Sequence, residues 1–179
     1  MDDDAILIKG CLDGNNEEFE ALVEKYQKTV FNVAFRIVND YNDAEDITQC
    51  AFIKAFENLQ TYDKRHKFFS WLYRIAVNES LNFLNQRKHH DELNADLVSS
   101  SEKNPEEKYY HNEISKNIEI ALMDLNLDYR LVVILKHFQG LSYDEIGYVL
   151  SIPEKTVKSR LFTARSLLKD ILSQKGMIE

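Results

Sequence analysis

Apolar residues recur every three or four positions along most of this chain, a spacing that predicts helices rather than strands. Turn-forming residues interrupt the pattern at residues 13–16 and 39–42. The remaining intervals predict two helices between residues 5 and 39, one from Asp43 to Leu59 and one from Phe69 to Gln86. The 179 residues include five glycines and two prolines, and no Val- and Thr-rich segment alternates apolar and polar positions. We therefore predict an all-α protein.

A second pattern, from Gly140 to Leu172, predicts two short helices around a turn of about three residues. Ser142 followed three residues later by Glu145 fits a capping box, and Pro153 suits the first position of the next helix. An apolar stripe then follows the second helix, at Val157, Leu161, Ala164, Leu168 and Leu172. This organisation predicts a helix-turn-helix motif, which places its second helix in the major groove of DNA.

The other faces of that second helix carry cationic and hydroxyl side chains. Arginine and lysine can bind phosphates or guanine, and hydroxyl groups can hydrogen-bond to the DNA backbone or to bases. The alternative is that this face is simply solvated, as most charged helix faces are. The candidate DNA-binding residues are Lys155, Thr156, Lys158, Ser159, Arg160, Thr163 and Arg165.

Charge is distributed along the chain in blocks. The net charge is -8, yet residues 61–90 hold six basic and two acidic residues, and residues 129–179 hold eight basic and five acidic ones. The blocks before each of them, residues 1–60 and 91–128, are strongly acidic. Two basic blocks in an acidic chain predict two separate nucleic-acid surfaces, while the acidic blocks indicate protein partners or solvated faces.

Residues 88–112 combine a serine run, a proline and many charges with little periodicity. Such a composition cannot bury enough apolar surface to offset the entropy of ordering. We therefore predict two small helical domains, residues 1–87 and 113–179, joined by a flexible linker at 88–112.

Several other classes of protein are excluded by the sequence. Cys11 and Cys50 have no second cysteine or histidine at ligand spacing, so neither a disulfide framework nor a zinc site is expected. There is no glycine-rich phosphate loop and no paired-acid pattern, so we predict no enzymatic activity, no metal and no cofactor. Apolar runs are short and the N-terminus MDDDA lacks a basic region, so we expect no membrane insertion and a cytoplasmic location.

Three motifs in series resemble those of an extracytoplasmic-function (ECF) RNA polymerase sigma factor: DAEDITQCAFIKAF, FFSWLYRIAVNESLNFL and GLSYDEIGYVLSIPEKTVKSRLFTAR. The resemblance covers nearly the whole chain. It implies that residues 1–87 form a domain of the sigma region 2 type, which binds core polymerase and melts the promoter minus-10 element. It also implies that residues 113–179 form a region 4 type domain, which recognises the minus-35 element. The chain would then direct core polymerase to specific promoters and initiate transcription.

The segment from Asp43 to Phe56 matches the part of the family that docks on the clamp of the largest polymerase subunit. A partly exposed helix with apolar and acidic side chains suits such a contact. The alternative for Phe52 and Phe56 is that both belong to the core. The candidate polymerase-binding residues are Asp43, Glu45, Asp46, Gln49, Phe52 and Ile53.

The stretch from Tyr62 to Asn82 resembles the minus-10 unit, in which a loop captures a flipped base and the following helix holds the melted strand. Aromatic and amide groups suit an unstacked base, and cations suit the strand. For Trp71 the favoured alternative is a place in the core. The candidate minus-10 residues are Lys64, Arg65, His66, Lys67, Phe69, Trp71, Arg74 and Asn78.

The resemblance implies three partners: core RNA polymerase, promoter DNA and an anti-sigma factor. One alternative is a helix-turn-helix regulator that binds duplex DNA without polymerase, which leaves the motif at residues 61–78 unexplained. A second alternative is a helical adaptor that binds only proteins, which predicts no salt-dependent affinity for DNA.

Overall fold

The computed structural model describes residues 3–93 and 113–177, and every regular element within these two stretches is helical, which confirms the all-α prediction. Most of the predicted linker, residues 94–112, lies outside the described residues. The α-helices are α1 (Asp3–Leu12), α2 (Glu17–Val38), α3 (Tyr41–Glu57), α4 (Phe68–Leu93), α5 (Glu113–Met123), α6 (Leu127–Val133), α7 (Tyr143–Leu150) and α8 (Glu154–Gln174). A 3-10 turn (Leu59–Thr61) follows α3, and a π-helical segment (Ile134–Phe138) continues α6.

The first bundle is built from α2, α3 and α4, which pack on one another, with α1 lying against α2. Its breaks follow from local chemistry. Helix α2 ends because Asn39 adopts the left-handed conformation, with φ 57°, and its N–H donates to the carbonyl of Phe35. The next helix begins at Tyr41, and its N-cap is Asp40, whose carboxylate accepts a hydrogen bond from the Asp43 N–H at 3.1 Å.

Helix α4 extends to Leu93, past Gln86, where the apolar periodicity of the sequence predicts its end. Residues 88–93 are therefore helical and are not part of an irregular linker. Arg87, Lys88, Glu92 and Leu93 are good helix formers, so the helix can continue after its apolar stripe has ended.

The second bundle contains α5 to α8 and carries the helix-turn-helix motif. Its capping box is present: the Ser142 N–H donates to the Glu145 carboxylate at 2.7 Å, and the Glu145 N–H donates to the Ser142 hydroxyl at 3.2 Å. In the turn, Ser151 takes the left-handed conformation with φ 55°, and a Cβ on Gly147 would lie 2.8 Å from the carbonyl oxygen of Ile152. Pro153 is the N-cap residue of α8 and Glu154 is the first residue of the helix, so the prediction placed Pro153 one position too far into the helix.

The two bundles pack against each other at two places. At the first, Arg36 near the end of α2 pairs with Glu119 of α5 at 3.4 Å and lies 4.2 Å from the centre of the Phe138 ring. Beside it, Arg130 of α6 donates to the carbonyl of Ile37 at 3.2 Å. The π-helical segment adds a residue to the turn, which places its last side chain, Phe138, at this junction. The second place of contact involves α7 and is described with the candidate sites.

Candidate nucleic-acid and protein interfaces

The outer face of α8 lies opposite the buried residues Val157, Leu161 and Ala164. Four exposed side chains follow one line along this face at helical spacing: Lys155, Ser159, Phe162 and Ser166. Phe162 is 78% exposed, the most exposed of the large apolar side chains in the part of the chain that the structure describes. Because this exposed ring lies in line with hydroxyl and cationic side chains on the second helix of a helix-turn-helix, this face of α8 is the candidate DNA-binding surface.

The remaining candidates on α8 flank this line. Lys158 and Arg165 lie on one side, and Thr156 and Thr163 lie half-buried on the other. Lys158 pairs with Glu154 one turn earlier at 2.6 Å, and the hydrogen bond to that carboxylate raises the pKa of Lys158. Arg160 instead reaches back to α6, where its guanidinium pairs with Asp128 at 2.8 Å.

Sequence reasoning assigned Arg160 to the DNA-binding face and overlooked Phe162. The helical spacing of the buried residues contained the missing signal, because Phe162 falls opposite Val157 and Ala164. The partner of Arg160 could not be found in this way, since Asp128 lies on another helix.

The loop between the 3-10 turn and α4 is held by its own side chains. The Asp63 carboxylate accepts hydrogen bonds from the backbone N–H of Arg65 at 3.0 Å and from the guanidinium of Arg65 at 2.8 Å. These bonds lower the pKa of Asp63 to about 2. At the base of the loop, the Tyr62 hydroxyl donates to the carbonyl of His66 at 2.6 Å. Lys64, Arg65 and Lys67 are exposed, so the loop presents cations on an ordered backbone.

Trp71 is 8% exposed and lies in an aromatic cluster with Tyr62 and Phe68. The structure therefore places it in the core, as the alternative interpretation favoured, and not on the surface with the other minus-10 candidates. Phe69 is half-buried, with the Lys67 ammonium 5.3 Å from its ring centre. Asn78 lies exposed on α4, one helical turn beyond Arg74.

Three of the minus-10 candidates contact α7 of the second bundle. The His66 imidazole stacks on the Tyr148 ring with 3.6 Å between ring centres. The Arg74 guanidinium lies 5.1 Å from the centre of the same Tyr148 ring. The Lys67 ammonium pairs with Glu145 at 3.0 Å. We call this set the α7 contact.

On α3, an exposed stripe follows the helix from Asp46 through Gln49 and Ile53 to Phe56. Ile53 is 58% exposed and Phe56 is 47% exposed. Phe52, by contrast, is 7% exposed and packs edge-on against Phe19 in the core. The prediction that Phe52 lies on the polymerase-binding surface is therefore wrong, and Phe56 takes its place on the exposed stripe.

The acidic candidates at the start of α3 differ in their surroundings. Glu45 and Asp46 are exposed. Asp43 is half-buried and lies 3.5 Å from Arg87 of α4. Burial, followed by the nearby charge of Asp40, raises the pKa of Asp43 despite the arginine. Asp43 therefore links α3 to α4, while Glu45 and Asp46 are available to a partner.

Two bundles, one with a cationic loop and one with a helix-turn-helix, define a two-domain transcription factor, and family comparisons give its class. Residues 22–90 match Sigma-70 region 2, and residues 115–168 match Sigma-70 region 4. The chain is 32% identical over 173 residues to the ECF RNA polymerase sigma factor SigW of Bacillus subtilis (strain 168), covering 90% of this chain and 92% of that protein. It is also 32% identical over 176 residues to the ECF RNA polymerase sigma-E factor of Escherichia coli (strain K12), covering 92% of each. The chain belongs to the family of ECF RNA polymerase sigma factors, and it is a transcription initiation factor.

Two solved structures share this fold. The sigma factor RpoE of Bartonella quintana, in complex with the anti-sigma factor NepR, gives a TM-score of 0.76 at 22% identity and covers 88% of this chain and 98% of that one. CnrH, in complex with the cytosolic domain of CnrY, gives a TM-score of 0.73 at 25% identity, with coverages of 97% and 99%. Among the described residues, none of the helices has the length and apolarity needed to span a bilayer.

Proposed function

We propose that this sigma factor contacts polymerase and promoter through three surfaces. The first is the exposed stripe of α3, and the second is the loop from Asp63 to Lys67 together with the outer face of α4, which carries Arg74 and Asn78. The third is the outer face of α8. The observation that carries the assignment is the outer face of α8, where an exposed aromatic ring stands in line with hydroxyl and cationic groups on the second helix of a helix-turn-helix. Such a helix enters the major groove of duplex DNA.

On α8, Lys155 and Lys158 neutralise phosphates of the minus-35 element, and Ser159 hydrogen-bonds to a base edge or a phosphate. The Phe162 ring contacts the methyl group of a thymine, which is the apolar feature that the major groove offers. Arg160 positions α8 on α6 through Asp128 and supports the surface without forming part of it.

On region 2, the loop from Asp63 to Lys67 and the outer face of α4 hold the melted minus-10 strand. The loop cations neutralise the strand, and Asn78 binds the edge of an unstacked base. Trp71 supports the loop from below through Tyr62 and Phe68.

Ile53 and Phe56 bind core polymerase by burying their exposed apolar surface, and Asp46 pairs with basic residues on that partner. An anti-sigma factor is a further partner. This assignment is supported by the two solved relatives, since RpoE is described with the anti-sigma factor NepR and CnrH with the cytosolic domain of CnrY. The chain acts in the cytoplasm and catalyses no reaction of its own.

The experiment separates duplex recognition from melting in reconstituted holoenzyme. Asn78→Ala and Phe162→Ala are compared with Gln27→Ala, which changes an exposed amide on α2. We expect Phe162→Ala to weaken the closed promoter complex in a gel-shift assay, and Asn78→Ala to bind duplex normally but reduce permanganate reactivity of minus-10 thymines. If both variants failed at the same step, the division of roles between the two regions would be wrong.

A further inference from the structure

The α7 contact joins side chains proposed to bind the minus-10 strand to a helix of region 4. His66, Lys67 and Arg74 are held by Glu145 and Tyr148, which lie on successive turns of α7. A hydrogen bond between the two bundles lies beside these contacts: the Tyr73 hydroxyl donates to the side-chain oxygen of Gln139 at 3.0 Å.

The chemistry that α7 presents to region 2 resembles that of a nucleic-acid strand. The Glu145 carboxylate offers Lys67 an anion, as a phosphate would. The Tyr148 ring offers a flat π surface to the His66 imidazole and the Arg74 guanidinium, as an unstacked base would. Helix α7 therefore uses the same interactions by which region 2 would hold melted DNA.

The capping box orients the Glu145 carboxylate independently of its contact with Lys67. One carboxylate oxygen accepts the Ser142 N–H in the capping box, and the other pairs with Lys67 at 3.0 Å. Burial alone would raise the pKa of Glu145, but the hydrogen bonds from Ser142 and Lys67 together outweigh it and lower that pKa. The carboxylate is thus charged and oriented at neutral pH.

The junction at Arg36 holds the two bundles together away from the loop. The Arg36–Glu119 pair is largely shielded from solvent, and Arg130 donates to the carbonyls of Met123 and Leu125 as well as to Ile37. Because this junction lies outside the proposed DNA surfaces, it favours the closed arrangement without competing directly with promoter.

We propose that this closed arrangement is a self-inhibited state, in which α7 occupies the minus-10 surface so that His66, Lys67 and Arg74 hold either α7 or the melted strand. The proposal rests on the proposed minus-10 role of those residues. Since only the open fraction of molecules can bind DNA, the apparent dissociation constant of the free chain is the intrinsic one divided by that fraction. Changes on α7 that weaken the contact therefore tighten single-strand binding while leaving the region 2 surface unaltered.

The test uses the full chain and two independent readouts. A zero-length carbodiimide should link the Lys67 amine to the Glu145 carboxylate in the free wild-type chain, and mass spectrometry would identify the linked peptides. Tyr148→Ala should reduce the yield of this link. The DNA probe is a fluorescein-labelled, random-sequence single-stranded 20-mer, with binding followed by anisotropy at fixed salt.

We expect Tyr148→Ala to tighten binding of this probe about threefold, and Glu145→Gln combined with Tyr148→Ala to tighten it about tenfold, as the open fraction rises. Glutamine can still complete the capping box, so α7 remains folded. The matched control is Asp144→Asn, which removes the same charge from an exposed neighbour of Glu145 and should leave binding within experimental error of wild type.

Two results would overturn the proposal. Absence of the Lys67–Glu145 link in the free chain would show that the closed arrangement is not populated. A link that Tyr148→Ala abolishes without any change in probe binding would show that α7 does not block DNA. Neither result bears on promoter-specific transcription with core polymerase, which tests the proposed function separately.

Discussion

Replacing Ile53 with serine tests the polymerase-binding surface of α3 with little disturbance of the fold. The Ile53 side chain is 58% exposed in the free chain, so its truncation opens no cavity in the core. Fully burying an isoleucine side chain contributes about 1.5–3 kcal/mol, so burying the part still exposed on Ile53 would contribute about 1–2 kcal/mol to binding. Loss of that contribution should weaken the affinity for core polymerase about 5- to 30-fold.

The matched control is Ile6→Ser on α1, since Ile6 is 51% exposed and lies outside the proposed polymerase surface. The assay is biolayer interferometry with immobilised core polymerase, with thermal unfolding of each variant measured in parallel. We expect only Ile53→Ser to lose affinity, and both variants to keep the wild-type melting temperature within a few degrees. Equal affinities for the two variants would refute the assignment of the α3 stripe.

Three further outcomes follow from individual residues. Ser151→Gly should stabilise the chain by about 1 kcal/mol in urea unfolding, because glycine adopts the left-handed conformation without strain; a loss of stability would contradict this. Phe162→Ala should weaken holoenzyme binding to a minus-35 duplex about fivefold without lowering the stability of the chain. Arg160→Ala should instead lower stability by at most about 1 kcal/mol, the contribution of an exposed ion pair. Similar effects of the two changes on DNA binding would be inconsistent with the geometry. The Asp63 carboxyl should titrate near pH 2 by NMR and return towards 3.8 in Arg65→Ala. Because the folded-state pKa of Asp63 is lowered, any stabilisation from this contact is present above pH 4 and is lost as pH falls towards 2. An unchanged titration midpoint of Asp63 in Arg65→Ala would exclude Arg65 as the cause of the low pKa.

Local patterns in the sequence predicted the helices well. The capping box at Ser142, the break at Asn39 and Asp40 and the apolar stripe of α8 each depend on neighbours within a few positions. The end of α4 was predicted too early because residues 88–93 have helix propensity but no apolar periodicity.

Which apolar residues lie on the surface could be predicted only in part. Phe52 and Phe56 are four residues apart on the same helix, so their spacing alone does not decide which one meets the core. The position of Phe19 on α2 decides it, because the Phe52 ring is buried against Phe19 while the Phe56 ring packs at its outer edge. Such a contact depends on how α2 and α3 are placed in three dimensions.

The contacts between the two bundles were outside the reach of sequence reasoning altogether. His66 and Tyr148, or Tyr73 and Gln139, lie far apart in the chain, and no periodicity relates them. Charge blocks predicted two separate cationic surfaces, yet the structure pairs Lys67 of the first with Glu145 of the second domain.

The most direct test of the central claim is in vitro transcription by purified core polymerase over a genomic promoter library, with and without this chain. The account predicts new transcripts that start only when the chain is present and that share upstream motifs at minus-35 and minus-10. No new transcripts, together with tight binding of a duplex operator by the chain alone, would contradict it and would favour a helix-turn-helix regulator that acts without polymerase.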